Sequence, residues 1–294
     1  MSLAAQLKQL QIPDQPFAQK DDSKKASLLF DRTTAAGLDN EAILSIGQSG
    51  LEELKAIDQI FAQYEKQLFS SNSLSVERTL QDKSYNQKLQ TRLTEFLFLL
   101  SPYVQLKPAQ KCLEWLIRKY RVHVYDKDAL LACILPYHET HLFGRVVQLF
   151  GTKPSGDHWD WLLPCQKSAQ GFSVQTLIKH CTDNRTLLSY LWTLVSKAAS
   201  ICESGPKSGL RLFFSFFSRV MICVIETVGS VKEDMVSFLL PFVYEGMKSK
   251  HTDFIISSYM VLMQLCSKGT FTKDVVKNII TMIVKVCLNS EISS

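Results

Sequence analysis

The chain has 294 residues, enough to bury a sizeable core either as one or two compact units or as one elongated array. Hydrophobic residues make up 46% of it and charged residues 21%, as in folded soluble proteins, while 12 glycines and 9 prolines are too few for a turn-rich all-β fold. The net charge of +5 permits contact with RNA or acidic proteins without requiring it.

The first hundred residues carry the periodicity of helices. The opening segment places three leucines on one side of a short amphipathic helix, and it lacks the basic start and apolar core of a secretory signal. Residues 27–69 predict several short helices, broken near Gly37 and again near Gly47, with Asp39 as an N-cap. Residues 85–104 predict a longer helix with a stronger apolar pattern.

The middle of the chain predicts consecutive helices separated by proline and glycine. The first spans residues 107–121 and places Pro108 in its first turn, where proline is well tolerated. The next spans 126–135 and is stopped by Pro136. Three further helices are predicted over 139–150, 174–181 and 185–201.

Beyond a Gly-Pro turn the pattern becomes regular. It predicts two antiparallel helix pairs that repeat every 40–47 residues or so, the spacing of HEAT or armadillo units. The helix at 208–228 is strongly apolar, but charged residues along one of its stripes indicate a packed core helix and not a membrane anchor. The four predicted helices span 208–228, 232–247, 253–267 and 272–288.

Strand-rich regions and strand–helix alternation are both missing from the sequence pattern. The sequence therefore predicts an all-α fold, an α-solenoid of antiparallel helix pairs of the HEAT or armadillo type. We expect residues 1–164 to form an N-terminal helical region with distinctive motifs and residues 165–294 to form regular helix-pair repeats. We also expect the repeats to continue past residue 294, because no polar outer face ends the stack.

No recognisable catalytic, cofactor or metal arrangement appears in the sequence. The eight cysteines form no CxxC pair and sit mostly among apolar residues, which indicates buried free thiols in a reducing compartment. Cys133, His138 and His141 lack the further ligands that a zinc site needs, and apolar surroundings make the Cys133 thiol unreactive. We therefore predict a protein with no enzymatic activity, no cofactor and no metal.

The predicted helix at 107–121 carries a basic face. Four cations and Glu114 lie within about 80° of arc around the helix axis, on the side opposite the apolar residues of the helix. This face either contacts phosphate or an acidic partner, or it is a solvated polar face such as surface helices commonly carry. The four cations are Lys107, Lys111, Arg118 and Arg121.

The corner after Pro136 is a second candidate contact. The proline ends one helix, and His138 or Glu139 begins the next, so Tyr137, His138 and Glu139 lie in a tight turn. The corner is predicted to be structural first, with partner binding as its second role.

Residues 100–140 carry a resemblance to a known family. They read LSPYVQLKPAQKCLEWLIRKYRVHVYDKDALLACILPYHET, followed by FGRVVQLF and preceded by SLAAQLKQL, SLLFD and IGQSGLEELKAID. This pattern resembles the N-terminal region of the very large HEAT-repeat-containing small nucleolar RNP protein of the small-subunit processome. The resemblance is clear over residues 1–163, and a generic HEAT repeat does not dictate its polar residues.

This resemblance implies a non-enzymatic scaffold of the nucleus and nucleolus, within the early transcription-linked subcomplex of WD-repeat and helical proteins. Such a scaffold supports pre-rRNA processing, small ribosomal subunit biogenesis and rRNA transcription by docking other processome subunits. Contact with pre-rRNA or small nucleolar RNA is an open option, while a membrane or a small-molecule substrate is not expected. The family supplies no catalytic residues, so the basic face and the corner are the candidate docking surfaces.

Two other functions fit the same helical pattern. A cytoplasmic HEAT-type transport or trafficking adaptor suits the mild positive charge, and the sequence has no strong basic nuclear-import run. Direct RNA binding as the main role predicts a steep dependence of affinity on salt. Presence in or exclusion from nucleoli separates the scaffold from the adaptor.

Overall fold

The computed structural model describes residues 26–150, 159–201, 208–229, 231–269 and 271–292. Within these ranges the chain is helical, and its β pairing is a single isolated bridge between Val231 and Gly269. The predicted all-α class is confirmed. The helix predicted at the opening of the chain lies outside the described residues.

Fifteen α-helices occur in the described part, several joined by short 3-10 turns. They are α1 (Arg32–Gly37), α2 (Asn40–Ile57), α3 (Glu65–Leu68), α4 (Lys83–Leu100), α5 (Lys107–Tyr120), α6 (Val122–Tyr125), α7 (Lys127–Ile134), α8 (His141–Gln148), α9 (Leu163–Ser168), α10 (Val174–Asp183), α11 (Arg185–Ile201), α12 (Ser208–Val228), α13 (Glu233–Met247), α14 (Thr252–Lys268) and α15 (Lys273–Ile292).

Helix α2 runs unbroken through the glycines where the sequence predicted a break, so that prediction is wrong. Gly47 and Gly50 face α5 at a close helix crossing. A Cβ on Gly47 would lie 2.7 Å from the Cβ of Trp115, and a Cβ on Gly50 would lie 2.5 Å from the carbonyl oxygen of Pro108. Glycine serves here to let two helix backbones approach, while Asp39 caps the start of α2 as predicted.

The C-terminal helices begin and end within a few residues of their predicted positions. Contacts join helices that are two apart in the chain: α10 packs on α12, and α12 packs on α14. The rings of Phe214 and Phe254 stack between α12 and α14 with centroids 4.9 Å apart. In a neighbouring contact, Nε2 of His251 donates to the carbonyl oxygen of Ala199 at 2.9 Å. Stacking of alternate helices is the arrangement of a solenoid, which confirms the predicted architecture.

The last helix, α15, is only partly covered by the other described helices. Helix α14 packs on α12 and α13, whereas extensive contacts within the two predicted pairs, α12–α13 and α14–α15, are not found among the described residues. Ile279 is buried, but Val276, Ile280 and Val284 remain exposed. The apolar face of α15 is therefore only partly buried among the described residues.

One apolar core runs through the described residues on both sides of residue 164. Helix α4 packs on α11 and α12, and the rings of Phe98 and Phe213 lie 5.6 Å apart. Phe213, Phe214 and Phe217 are buried, which is the core role that the sequence predicted for α12. In the ranges that the structure describes, no helix has the length and apolar character to cross a membrane.

Candidate interaction surface

Helix α5 carries the predicted basic face, and it is a core helix. Its apolar side is fully enclosed, and Trp115 is completely buried. The indole N–H of Trp115 donates to the carbonyl oxygen of Leu68 at 2.8 Å, and the hydroxyl of Tyr120 donates to the same oxygen at 2.9 Å. These bonds satisfy the polar atoms of two buried aromatic side chains, so both act in packing.

Glu114 lies within the predicted basic face but has no exposed surface. Its Oε2 accepts hydrogen bonds from the backbone N–H groups of Leu28 at 2.7 Å and Leu29 at 3.1 Å. A buried carboxylate must be compensated by donors of this kind, because its transfer from water is costly. The side chain therefore anchors the segment before α1 and is not part of a solvated face.

Two of the predicted contact cations are engaged inside the molecule. Nζ of Lys111 donates to the carboxylate of Glu53 at 2.6 Å and to the hydroxyl of Ser49 at 3.2 Å, both on α2. The hydrogen bond from Lys111 lowers the pKa of Glu53. Nη2 of Arg118 donates to the carbonyl oxygens of residues 35 and 38 at 2.8 and 3.2 Å. These contacts with α1 and α2 leave Lys111 and Arg118 only partly exposed.

The other two predicted cations mark the ends of α5. Lys107, in the first turn, is exposed. Arg121, directly after the last turn, has φ 49° and ψ 44°. This left-handed conformation costs a non-glycine residue on the order of 1–2 kcal/mol, and here it ends α5 and redirects the chain into α6. Partner contact by any of the four cations stays a prediction.

The Tyr137–Glu139 corner holds the segment before α10. The hydroxyl of Tyr137 donates to the carbonyl oxygen of Ser101 at 2.8 Å. Nδ1 of His138 donates to the carbonyl oxygen of Phe172 at 2.8 Å, and the two rings stack with centroids 4.9 Å apart. Glu139 is exposed, and its Oε1 accepts from the backbone N–H of Val174 at 3.2 Å. The predicted structural role of the corner is thus visible in its contacts, and partner binding there stays a prediction.

A cleft of about 560 Å³ opens where α5 ends. It is bordered by the end of α1, the start of α2, residues 76–79, residues 118–121 and Tyr125. Two of the predicted cations, Arg118 and Arg121, line it, whereas Lys107 and Lys111 do not. The structure therefore divides the predicted basic face between a concave site and an intramolecular contact. The lining cations are Arg78, Arg118, Lys119 and Arg121.

Sequence reasoning missed Arg78, which is central to this region. Arg78 forms a buried ion pair with Asp126 and donates to the carbonyl oxygen of Tyr120 at 3.1 Å. Its guanidinium lies over the ring of Tyr125, 4.7 Å from the centroid. Arg78 sits in a short 3-10 turn with no helical period, so the sequence pattern held no signal for its position.

The three fully buried thiols of the described residues are unsuited to nucleophilic chemistry. Burial raises the pKa of Cys133 and of Cys181 to about 12, and it raises the pKa of Cys112 as well, so these groups stay protonated near neutral pH. Among the described residues no group of His, Cys, Asp and Glu side chains is arranged to hold a metal ion. Cys202 and the side chain of Cys287 lie outside the described residues.

The stacked helices define a helical-repeat protein of the HEAT type. Comparison with known proteins gives its family. The chain is 37% identical over 286 residues to HEAT repeat-containing protein 1 of Homo sapiens. This alignment covers 97% of this chain and 13% of the human protein. The chain is 36% identical over 282 residues to HEAT repeat-containing protein 1 of Danio rerio, which covers 95% and 13%.

A fungal relative and a family model carry a second name. U3 small nucleolar RNA-associated protein 10 of Yarrowia lipolytica is 30% identical over 277 residues, which covers 93% of this chain and 16% of that protein. The model of the family described as U3 small nucleolar RNA-associated protein 10 matches residues 235–294. The chain belongs to this family. It spans about an eighth of the length of its animal relatives.

Proposed function

We propose that this chain is a docking module of the small-subunit processome, acting in the nucleolus in small ribosomal subunit biogenesis. The observation that carries the proposal is similarity along nearly the whole chain to proteins named for HEAT repeats and for association with U3 small nucleolar RNA. Neither name describes an enzymatic activity. In this proposal the module supports pre-rRNA processing and rRNA transcription by holding WD-repeat and helical subunits, and it needs no cofactor.

The proposed contacts are those that the fold leaves accessible. Glu139 and Lys107 are exposed, and Arg121 borders the cleft, so these side chains can reach another molecule. Lys111, Arg118, Tyr137 and His138 are proposed to shape the contact surface from within, because their polar atoms already bind neighbouring segments.

Co-purification from nucleoli tests this function. The tagged chain is expected to recover processome proteins, and the double variant Lys107→Glu with Glu139→Lys is expected to recover fewer. The matched control is Lys277→Glu, which reverses an exposed charge on α15. Recovery of no processome protein by the unaltered chain, or its exclusion from nucleoli, would overturn the proposal and favour a cytoplasmic transport adaptor.

A further inference from the structure

The cleft at the end of α5 gathers cations from two segments that are distant in sequence. Arg78 comes from the 3-10 turn, whereas Arg118, Lys119 and Arg121 come from the end of α5 and the residue after it. Its volume of about 560 Å³ lies within the range of small-ligand sites, so it fits a group of nucleotide size better than the flat face of a protein.

Most of the acidic groups near the cleft already have a local role. The Asp39 carboxylate accepts from a backbone N–H in the first turn of α2. Asp126 forms the ion pair with Arg78. Glu77 acts on Lys119: burial lowers the pKa of Lys119, and the charge of Glu77 opposes that shift. With Arg78 paired to Asp126, the lining keeps three cations against the carboxylates of Asp39 and Glu77, and this excess of one positive charge favours an anion.

Arg118 provides a second observation that points to a ligand. Its Nη2 donates to two carbonyl oxygens at the end of α1, but its Nη1 is buried and finds no acceptor in the described part of the chain. A buried donor without an acceptor is costly, so a shift of the Arg118 side chain that brings Nη1 to an oxygen-rich group in the cleft would remove that cost. Guanidinium groups match phosphate oxygens in both geometry and charge.

We propose that this cleft binds a phosphate group of single-stranded RNA. Tyr125 lines the cleft and is 43% exposed as a residue, and an exposed aromatic residue beside a phosphate site suits a stacked base. A phosphorylated peptide would bring the same phosphate without a base, so Tyr125 favours RNA. The inference rests on the proposed function, which places the chain among RNA-containing particles, but it concerns a contact separate from protein docking.

Binding of a short, fluorescently labelled single-stranded RNA to the purified chain tests the site. Arg121→Asn removes one cation, and asparagine tolerates the left-handed backbone, so the fold is expected to be retained. This variant is expected to weaken RNA binding by about five- to tenfold. It is also expected to reduce the slope of log affinity against log salt concentration by about 1. Lys107→Gln removes a cation of α5 that lies outside the cleft, and it is expected to leave both the RNA affinity and its salt dependence unchanged. Equal weakening by both variants would mean that RNA is held by diffuse electrostatic attraction, and it would overturn the assignment of an RNA site to the cleft.

A second variant separates RNA from other phosphate sources. Tyr125→Leu is expected to weaken RNA binding while leaving competition by inorganic phosphate unchanged. If a phosphorylated peptide displaces the RNA equally well and Tyr125→Leu has no effect, the assignment to RNA is overturned. Co-purification of Tyr125→Leu with processome proteins is expected to persist, because Tyr125 is not among the proposed docking residues, so loss of RNA binding and loss of protein docking can be told apart.

Discussion

The carboxylate of Glu114 accepts the backbone N–H of Leu28 at 2.7 Å, across 86 residues of sequence. The carbonyl oxygen of Leu28 in turn accepts from Nη2 of Arg145 at 3.3 Å. Both polar groups of one residue are thus held by charged side chains from α5 and α8. The segment before α1 is tied to the core by these bonds, although it contains little regular structure of its own.

Glu114→Gln is expected to weaken this anchor. The amide keeps the shape of the side chain but loses the charge that strengthens both hydrogen bonds, so the free energy of unfolding should fall by about 1.5–3 kcal/mol. Urea denaturation measures the change. The control is Glu245→Gln, at an exposed position on α13, where no comparable loss is expected. Equal effects of the two substitutions would contradict the anchoring role.

The glycines of α2 give a second prediction. Gly50→Ala places a Cβ 2.5 Å from a backbone oxygen of α5, so we expect a loss of about 1–3 kcal/mol despite the better helix propensity of alanine. Gly37→Ala is the matched control, because a Cβ there would meet nothing within 4 Å. Thermal unfolding should show a lower midpoint for the first variant only. A midpoint that rises for both variants would mean that the two helices do not approach this closely.

Two ion pairs of different burial give a third prediction. Asp126 is buried with Arg78, and burial raises the pKa of this carboxyl group even though Arg78 opposes the shift. Asp126→Asn leaves the guanidinium without its counter-charge and should cost about 3–5 kcal/mol. Asp234→Asn breaks the exposed pair with Arg185 and should leave the unfolding free energy nearly unchanged. Chemical denaturation of both variants makes the comparison, and similar losses would argue against a special role for burial.

Regular apolar periodicity made the C-terminal helices predictable from sequence. Helix α12 was predicted over the same residues that it occupies, because a long apolar stripe with few breaks has a clear helical period. The helices near the N-terminus were harder to predict. Gly47 and Gly50 break a helix by propensity alone, but the approach of α5 makes them necessary, and that approach is a tertiary contact that periodicity does not contain.

The basic face of α5 is less exposed than its pattern predicts for a similar reason. A stripe of charge indicates a solvated surface only when no neighbouring segment offers matching partners. Here α2 supplies Glu53 to Lys111, the end of α1 supplies carbonyl oxygens to Arg118, and the backbone at Leu28 supplies donors to Glu114. These partners come from segments 58 to 86 residues away, so the pattern of α5 alone could not identify them.

A buried histidine beside the cleft predicts how stability depends on pH. Burial lowers the pKa of His123 to about 4, with a smaller contribution from Arg121, whereas an unfolded histidine titrates near its usual value of 6.5. Between these two values the unfolded chain binds a proton that the folded chain does not. The stabilising effect is therefore complete above about pH 6.5 and is lost as the pH falls toward 4.

His123→Leu removes the titration while keeping an apolar side chain at the buried position. The unaltered chain should lose about 2 kcal/mol more stability than the variant between about pH 7.5 and pH 5, since about 1.5 pKa units remain uncompensated at the lower pH. Urea denaturation at both pH values gives the difference, and groups common to both chains cancel in it. Nδ1 of His123 has no hydrogen-bond partner among the described residues, so replacing the ring by leucine breaks no hydrogen bond of that atom. Parallel pH profiles for the two chains would show that His123 is not enclosed in solution.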